Sequence, residues 1–158
     1  PVSMEVYNRF LAAYNSMSED DRDKVNKGLP GAEVDHTPLE WDEQWSSAFA
    51  GKKWHGKHLS PESPVTGVSY WDAMAYANYV NAKLPEPSTL RTARHATHTA
   101  EFAEWTTAMR DADSVYAKAH ILLPPAPEET PVLENDPAAR RPGRAFRLVY
   151  PAIPKTKK

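Results

Sequence analysis

At 158 residues the chain has the length of one ordinary domain, and 41% hydrophobic residues with 5 Trp support a packed core rather than a disordered chain. Its 19 basic and 21 acidic residues leave a net charge of -2, which removes any electrostatic ground for nucleic acid or an anionic membrane surface as partner. With no cysteine, disulfides, thiolate catalysis and Cys-based zinc sites are excluded, and no apolar run approaches the ~20 residues that span a bilayer.

The chain opens at Pro1 rather than Met, as expected of a processed chain or of a domain cut from a longer protein, and no signal peptide is visible. A soluble protein is expected, with a cytoplasmic setting favoured although the compartment is not fixed. Val6, Phe10, Ala13 and Met17 recur at helical spacing with Tyr7, Leu11 and Tyr14 beside them, which predicts an amphipathic helix. A shorter surface helix follows: Ser18 caps it, Glu19, Asp20 and Asp21 suit its first turn, and Gly28 ends it. Only Val25 points inward there. Residues 30–63 read as irregular, with Trp41, Trp45, Phe49 and Trp54 either pinning a long loop to the core or offering rings to a ligand.

The pattern then sharpens. Val65 to Val68 is a short extended entry, Ser69 is an N-cap, and Asp72 stands in the capping-box position three residues later. The helix that follows is apolar nearly all round through Leu84, which predicts burial, and Pro85 and Pro87 stop it. A polar helix-like stretch from Ser88 to His98 precedes two predicted strands, Phe102 to Thr107 and Val115 to Leu123, joined by a polar turn from Arg110 to Asp113. Six prolines make 124–142 a long extended loop, and Ala145 to Val149 reads as a closing strand. The expected architecture is α+β, with two or three helices on short antiparallel strands and much irregular chain. Residues 1–154 form one domain in this reading, and 155–158 form a basic tail.

Three segments in order carry a resemblance. Residues 64–85, PVTGVSYWDAMAYANYVNAKLP, are similar to the "PVxxVSWxDAxAYxxWxxxxLP" block of the formylglycine-generating-enzyme (sulfatase-modifying factor) domain family. Residues 101–106, EFAEWT, resemble its "GNVWEWT" strand, and 145–149, AFRLV, its closing "GFRLV" strand. More loosely, 5–11, EVYNRFL, resembles the helix "EVTNxxYxxFL". The resemblance implies a C-type-lectin-like α+β fold. It also implies what is missing. The long "YPWG" region is reduced to about twenty residues, counted from the sequence. Residues 116–123 replace the "RGGSW" strand, and the copper-binding cysteine pair of the formylglycine-making enzymes has no counterpart. Formylglycine synthesis by that route is excluded, and no catalytic residue carries over.

Several clusters invite chemistry. His55 with His58, and His95 with His98, are His-x-x-His pairs that would supply a four-nitrogen metal site if they met, or are surface histidines if they do not. An iron-dependent branch of the family, the sulfoxide synthases of ergothioneine synthesis, uses histidines, but largely from a separate N-terminal helical domain. Glu101 and Glu104 are paired carboxylates in sequence, yet three residues apart on a strand they face opposite ways; the resemblance implies a structural role for the second. Asp111 and Asp113 suit either structural calcium or a solvated turn. Arg140, Arg141 and Arg144 form the densest ordered positive cluster, for an acidic partner or for tying loops down.

The expected function is a non-catalytic ligand- or protein-binding module. The resemblance is compatible with a domain of a signalling protein or a ligand-displaying variable protein. The expected binding face spans 108–120 and 124–144 and includes Arg110, Asp111, Asp113, Tyr116, Arg140, Arg141 and Arg144, with a protein as partner and no cofactor beyond possible calcium. The alternatives are a metal-dependent iron or copper oxidoreductase using the histidines, and a structural subunit of a larger assembly.

Overall fold

A computed structural model describes residues 1–30, 35–97, 103–110, 118–122, 132–142 and 144–150; over 94–97, 103, 108–110, 118–122 and 132–135 it defines the backbone. Helix α1 (Met4–Asn15) starts two residues before the periodicity predicts, because the Ser3 hydroxyl accepts from the Val6 N–H at 3.3 Å and caps it. Its core face is Met4, Tyr7, Phe10, Leu11 and Tyr14. Val6, expected in the core, is 41% exposed. The helix turns its larger rings inward, since they bury more apolar area than valine. Helix α2 (Glu19–Val25) is capped by Ser18 and buries Val25, as its sequence predicts.

The segment expected to be irregular contains a helix, α3 (Trp41–Ala50). Its start carries no side-chain cap: Glu40 occupies the cap position with φ 50°, and Gly51 ends the helix at φ 63°. Trp41, Trp45 and Phe49 stack along it with ring centroids 5.4 and 5.0 Å apart. Trp41 is buried and Phe49 is 65% exposed, so only the inner end of this ladder pins the segment. A two-residue hairpin joins β1 (Lys53–Trp54) to β2 (Lys57–His58) through His55 and Gly56, both at positive φ, as such turns demand. Trp54 packs inward, and its indole N–H donates to Glu40 Oε2 at 3.1 Å.

Helix α4 (Tyr70–Tyr79) opens on the expected capping box: the Asp72 N–H donates to Ser69 Oγ at 3.0 Å, and the Ser69 N–H to Asp72 Oδ2 at 2.7 Å. Tyr70, Asp72, Ala73, Ala75, Tyr76 and Ala77 are buried, in keeping with its all-round apolar pattern. It does not reach Leu84. Asn81 turns the chain at φ 52°, and Lys83 then exchanges both backbone hydrogen bonds with Val149, at 3.1 and 2.8 Å. Helix α5 (Pro87–Thr97) follows.

Strands β3 (Ala103–Arg110), β4 (Lys118–Leu122), β5 (Val132–Asn135) and β6 (Arg144–Ala145) form a sheet in the order β5-β4-β3-β6. The β3–β4 and β4–β5 pairs are antiparallel, whereas β6 runs parallel to β3. Arg110, expected in the turn, closes β3 opposite Lys118 across an irregular register. Strand β5 lies inside the proline-rich segment expected to be a loop: its four residues are proline-free, which leaves every N–H able to join the ladder.

The α+β class is as expected, with five helices among the described residues rather than two or three. Tyr7 sits at the centre of the core, its ring within 5.3 to 6.3 Å of those of Phe10, Tyr76, Phe146 and Trp41. The chain start closes this core: the Val2 N–H donates to the Phe146 carbonyl at 3.1 Å, and the Val2 carbonyl accepts from the Val65 N–H at 2.9 Å.

Gly67 has φ +73°, and a Cβ there would meet Leu39 Cβ at 3.0 Å and the Leu39 N at 3.2 Å. Gly51, also at positive φ, faces open space. Gly67→Ala is therefore expected to cost about 3 kcal/mol in urea unfolding, against about 1 kcal/mol for Gly51→Ala.

Candidate functional site

Two buried ionic networks and one surface cleft hold the chemistry of the described residues. The first network centres on Asp72, which is fully buried at the start of α4. Its carboxylate accepts from the Ser69 N–H, from Arg140 Nε at 2.8 Å and Arg140 Nη2 at 2.7 Å, and faces His36 Nδ1 at 3.2 Å. His36 is itself buried, with Nε2 2.9 Å from Asn26 Oδ1 and its carbonyl accepting from the Tyr7 hydroxyl at 2.9 Å. Arg140 also donates to the Asp35 carbonyl. Burial pushes the Asp72 carboxyl up, but the His36 and Arg140 hydrogen bonds, the Arg140 charge and the Ser69 N–H outweigh it and hold the group below its ordinary range.

The second network joins β3 to the last described segment. Glu104 and Arg147 are both buried and meet through Nε at 2.7 Å and Nη2 at 3.2 Å, the forked geometry that suits a carboxylate. Beside them the Trp105 indole N–H donates to the Val68 carbonyl at 3.0 Å, and the Arg144 guanidinium lies 5.4 Å from the Trp105 ring centroid. Tyr7 and Tyr76 offer no acid or base near neutrality. Burial, then the Asp72 charge, drives the Tyr7 hydroxyl well above its ordinary range. Burial, then Tyr150 and Tyr79, pushes Tyr76 up to about 12.

The cleft, of about 550 Å³, lies between the Asn81–Glu86 segment, Thr89 of α5, Thr107 of β3 and the Val149–Tyr150 end. Leu84 and Pro85 are buried, and Val149 and Tyr150 are 40% and 62% exposed. Its ionisable residues, Lys83, Glu86 and Tyr150, are all exposed.

Of the residues singled out from sequence, the three arginines of 140–144 have different surroundings. Arg140 sits in the Asp72 network, Arg141 is exposed, and Arg144 is buried over Trp105. Arg110 ends β3, while Asp111, Asp113 and Tyr116 lie outside the described residues. His55 occupies the hairpin turn and bonds Glu40 Oε2 at 2.9 Å, and His58 pairs with Lys53 across the hairpin. The His95 side chain, His98 and Glu101 lie outside what is described. Among the described residues no three His, Asp or Glu side chains gather as a metal site would need, and no helix is long and apolar enough to cross a membrane.

A profile of the sulfatase-modifying factor enzyme 1-like domain matches residues 1–136. The chain belongs to this family. Comparison with curated proteins and with solved structures gives no significant match. The capping box of α4 and the buried Glu104-Trp105-Thr106 of β3 belong to segments whose resemblance pointed to the family, and both serve the fold. Sequence reading missed His36, Arg147, Lys83 and Thr107. His36 has partners 10 and 36 positions away, and Arg147 has one 43 away, separations at which no local spacing gives a signal.

Removing one partner of a buried pair strands the other charge. Arg147→Met is expected to destabilise by about 4 kcal/mol, and Arg140→Met, whose side chain is partly exposed, by about 3 kcal/mol in urea unfolding. Asp72 has a depressed folded pKa, so its contribution is present above the ordinary carboxylate pKa of about 3.9 and is lost as pH falls through the folded value. Unfolding free energy should therefore fall below about pH 4, and Asp72→Asn should flatten that fall while lowering stability at neutrality.

Proposed function

We propose that this domain is a non-catalytic binding module of its family, acting on a protein partner. One observation carries the reading: Asp72, Glu104, Arg147 and His36, all buried, are bonded within two networks that tie distant chain segments together. General acid–base work needs a group within reach of substrate, with its pKa tuned toward the working pH. The cleft offers only exposed Lys83, Glu86 and Tyr150. The absence of any cysteine removes the formylglycine-making route of the family. The partner face expected from the sequence, residues 108–120 and 124–144, remains the proposed surface. Exposed Arg141 supports it from the described residues, with Arg110, Asp111, Asp113 and Tyr116 as the other members to vary.

The competing reading, an iron or copper oxidoreductase built on the histidines, is separated by elemental analysis of the purified chain. Iron and copper are expected far below one equivalent, with the melting temperature unchanged by EDTA. Stoichiometric metal that is lost on His55→Ala or His95→Ala would overturn the module reading.

A further inference from the structure

We infer that the cleft beside α5 is a second docking site, taking an extended peptide in which an apolar side chain stands between an acidic and a basic residue. None of its lining residues belongs to the 108–144 face, and it rests on the module reading only in taking its occupant to be a protein segment.

The walls are preformed. Lys83 and Val149 exchange both backbone hydrogen bonds, and the Thr107 N–H donates to the Pro85 carbonyl at 3.0 Å, so three chain segments are fixed around the opening by their backbones. A preformed site spares the ordering cost that weakens binding to a mobile one. Its lining is mainly apolar: Leu84 and Pro85 at the base, Val149 and the open Tyr150 ring at the mouth. About 550 Å³ is ample for one apolar side chain and its neighbours.

Charge selects the occupant. Lys83 and Glu86 flank the buried Leu84–Pro85 pair, both are exposed, and neither has an ion-pair partner among the described residues. Opposite charges on either side of an apolar base match an acidic and a basic residue on either side of an apolar one, and they fix the direction in which the segment lies.

The test uses amide NMR titration with glycine-flanked peptides carrying Glu-Leu-Lys, Lys-Leu-Glu or Glu-Gly-Lys. One of the leucine peptides is expected to shift Leu84, Thr107 and Tyr150, with the glycine peptide inert. Lys83→Glu should weaken binding about five-fold, and Lys83→Glu with Glu86→Lys should reverse the preferred charge order. Absence of shifts at the cleft at millimolar peptide, or the same charge order preferred after the double exchange, overturns the inference. Metal content reads the module proposal independently of either result.

Discussion

The fold depends first on the buried carboxylate of Asp72. Asp72 closes the capping box of α4, and the same two oxygens accept from Arg140 and face His36. An N-cap interaction alone is worth about 1 kcal/mol, whereas a carboxylate stranded in the interior costs several times that. The network is consequently held together or lost together. Its partners come from three separate stretches of chain, one before α3, one at the start of α4 and one after β5. The adjacent Tyr70 N–H donates to the Pro137 carbonyl at 2.9 Å, so the loop following β5 is fastened to α4 by backbone as well as by charge.

Glu104 and Arg147 do the same on the sheet side of the core. Between the two clasps lies the aromatic cluster around Tyr7, which supplies non-directional burial. The division matters in a chain with this much irregular structure. Apolar packing tolerates small slides of one segment over another, but a forked Arg–carboxylate pair holds one arrangement. In such a chain the buried charges serve to define the loops.

How far the sequence reveals this follows from separation along the chain. The capping box at Ser69 and Asp72, the Ser18 cap and the burial of α4 are local patterns, and each is visible in a few adjacent residues. Helix α3 gives no such sign: its cap position is a left-handed Glu40 without a side-chain bond, so the stretch reads as loop. The end of α4 is misjudged for a related reason. Ala82 to Leu84 continue an acceptable helical pattern, but the Lys83–Val149 bridge, 66 positions apart, offers the backbone a better set of partners. Strand β5 is concealed by prolines around it, although none lies within it. The networks at His36 and Arg147 and the cleft at Thr107 depend wholly on tertiary placement.

The basic segment 140–144 shows the same limit in miniature. Read as composition it is one positive patch, with three arginines in five residues. In the structure the three separate: Arg140 donates to Asp72, Arg144 lies over the Trp105 ring, and Arg141 between them is exposed. An arginine has a long apolar stem and a planar, weakly hydrated head, so it can serve an interior clasp or an aromatic face as readily as the surface. What decides among these is which carboxylate or ring stands opposite, and Asp72 and Trp105 are 68 and 39 positions distant from their arginines. The field this segment offers a partner is accordingly that of Arg141 far more than that of a triple charge, because Arg140 is largely neutralised at Asp72 and Arg144 is buried. A partner docking there would be recognised by shape and hydrogen bonding around one exposed guanidinium, with modest dependence on salt.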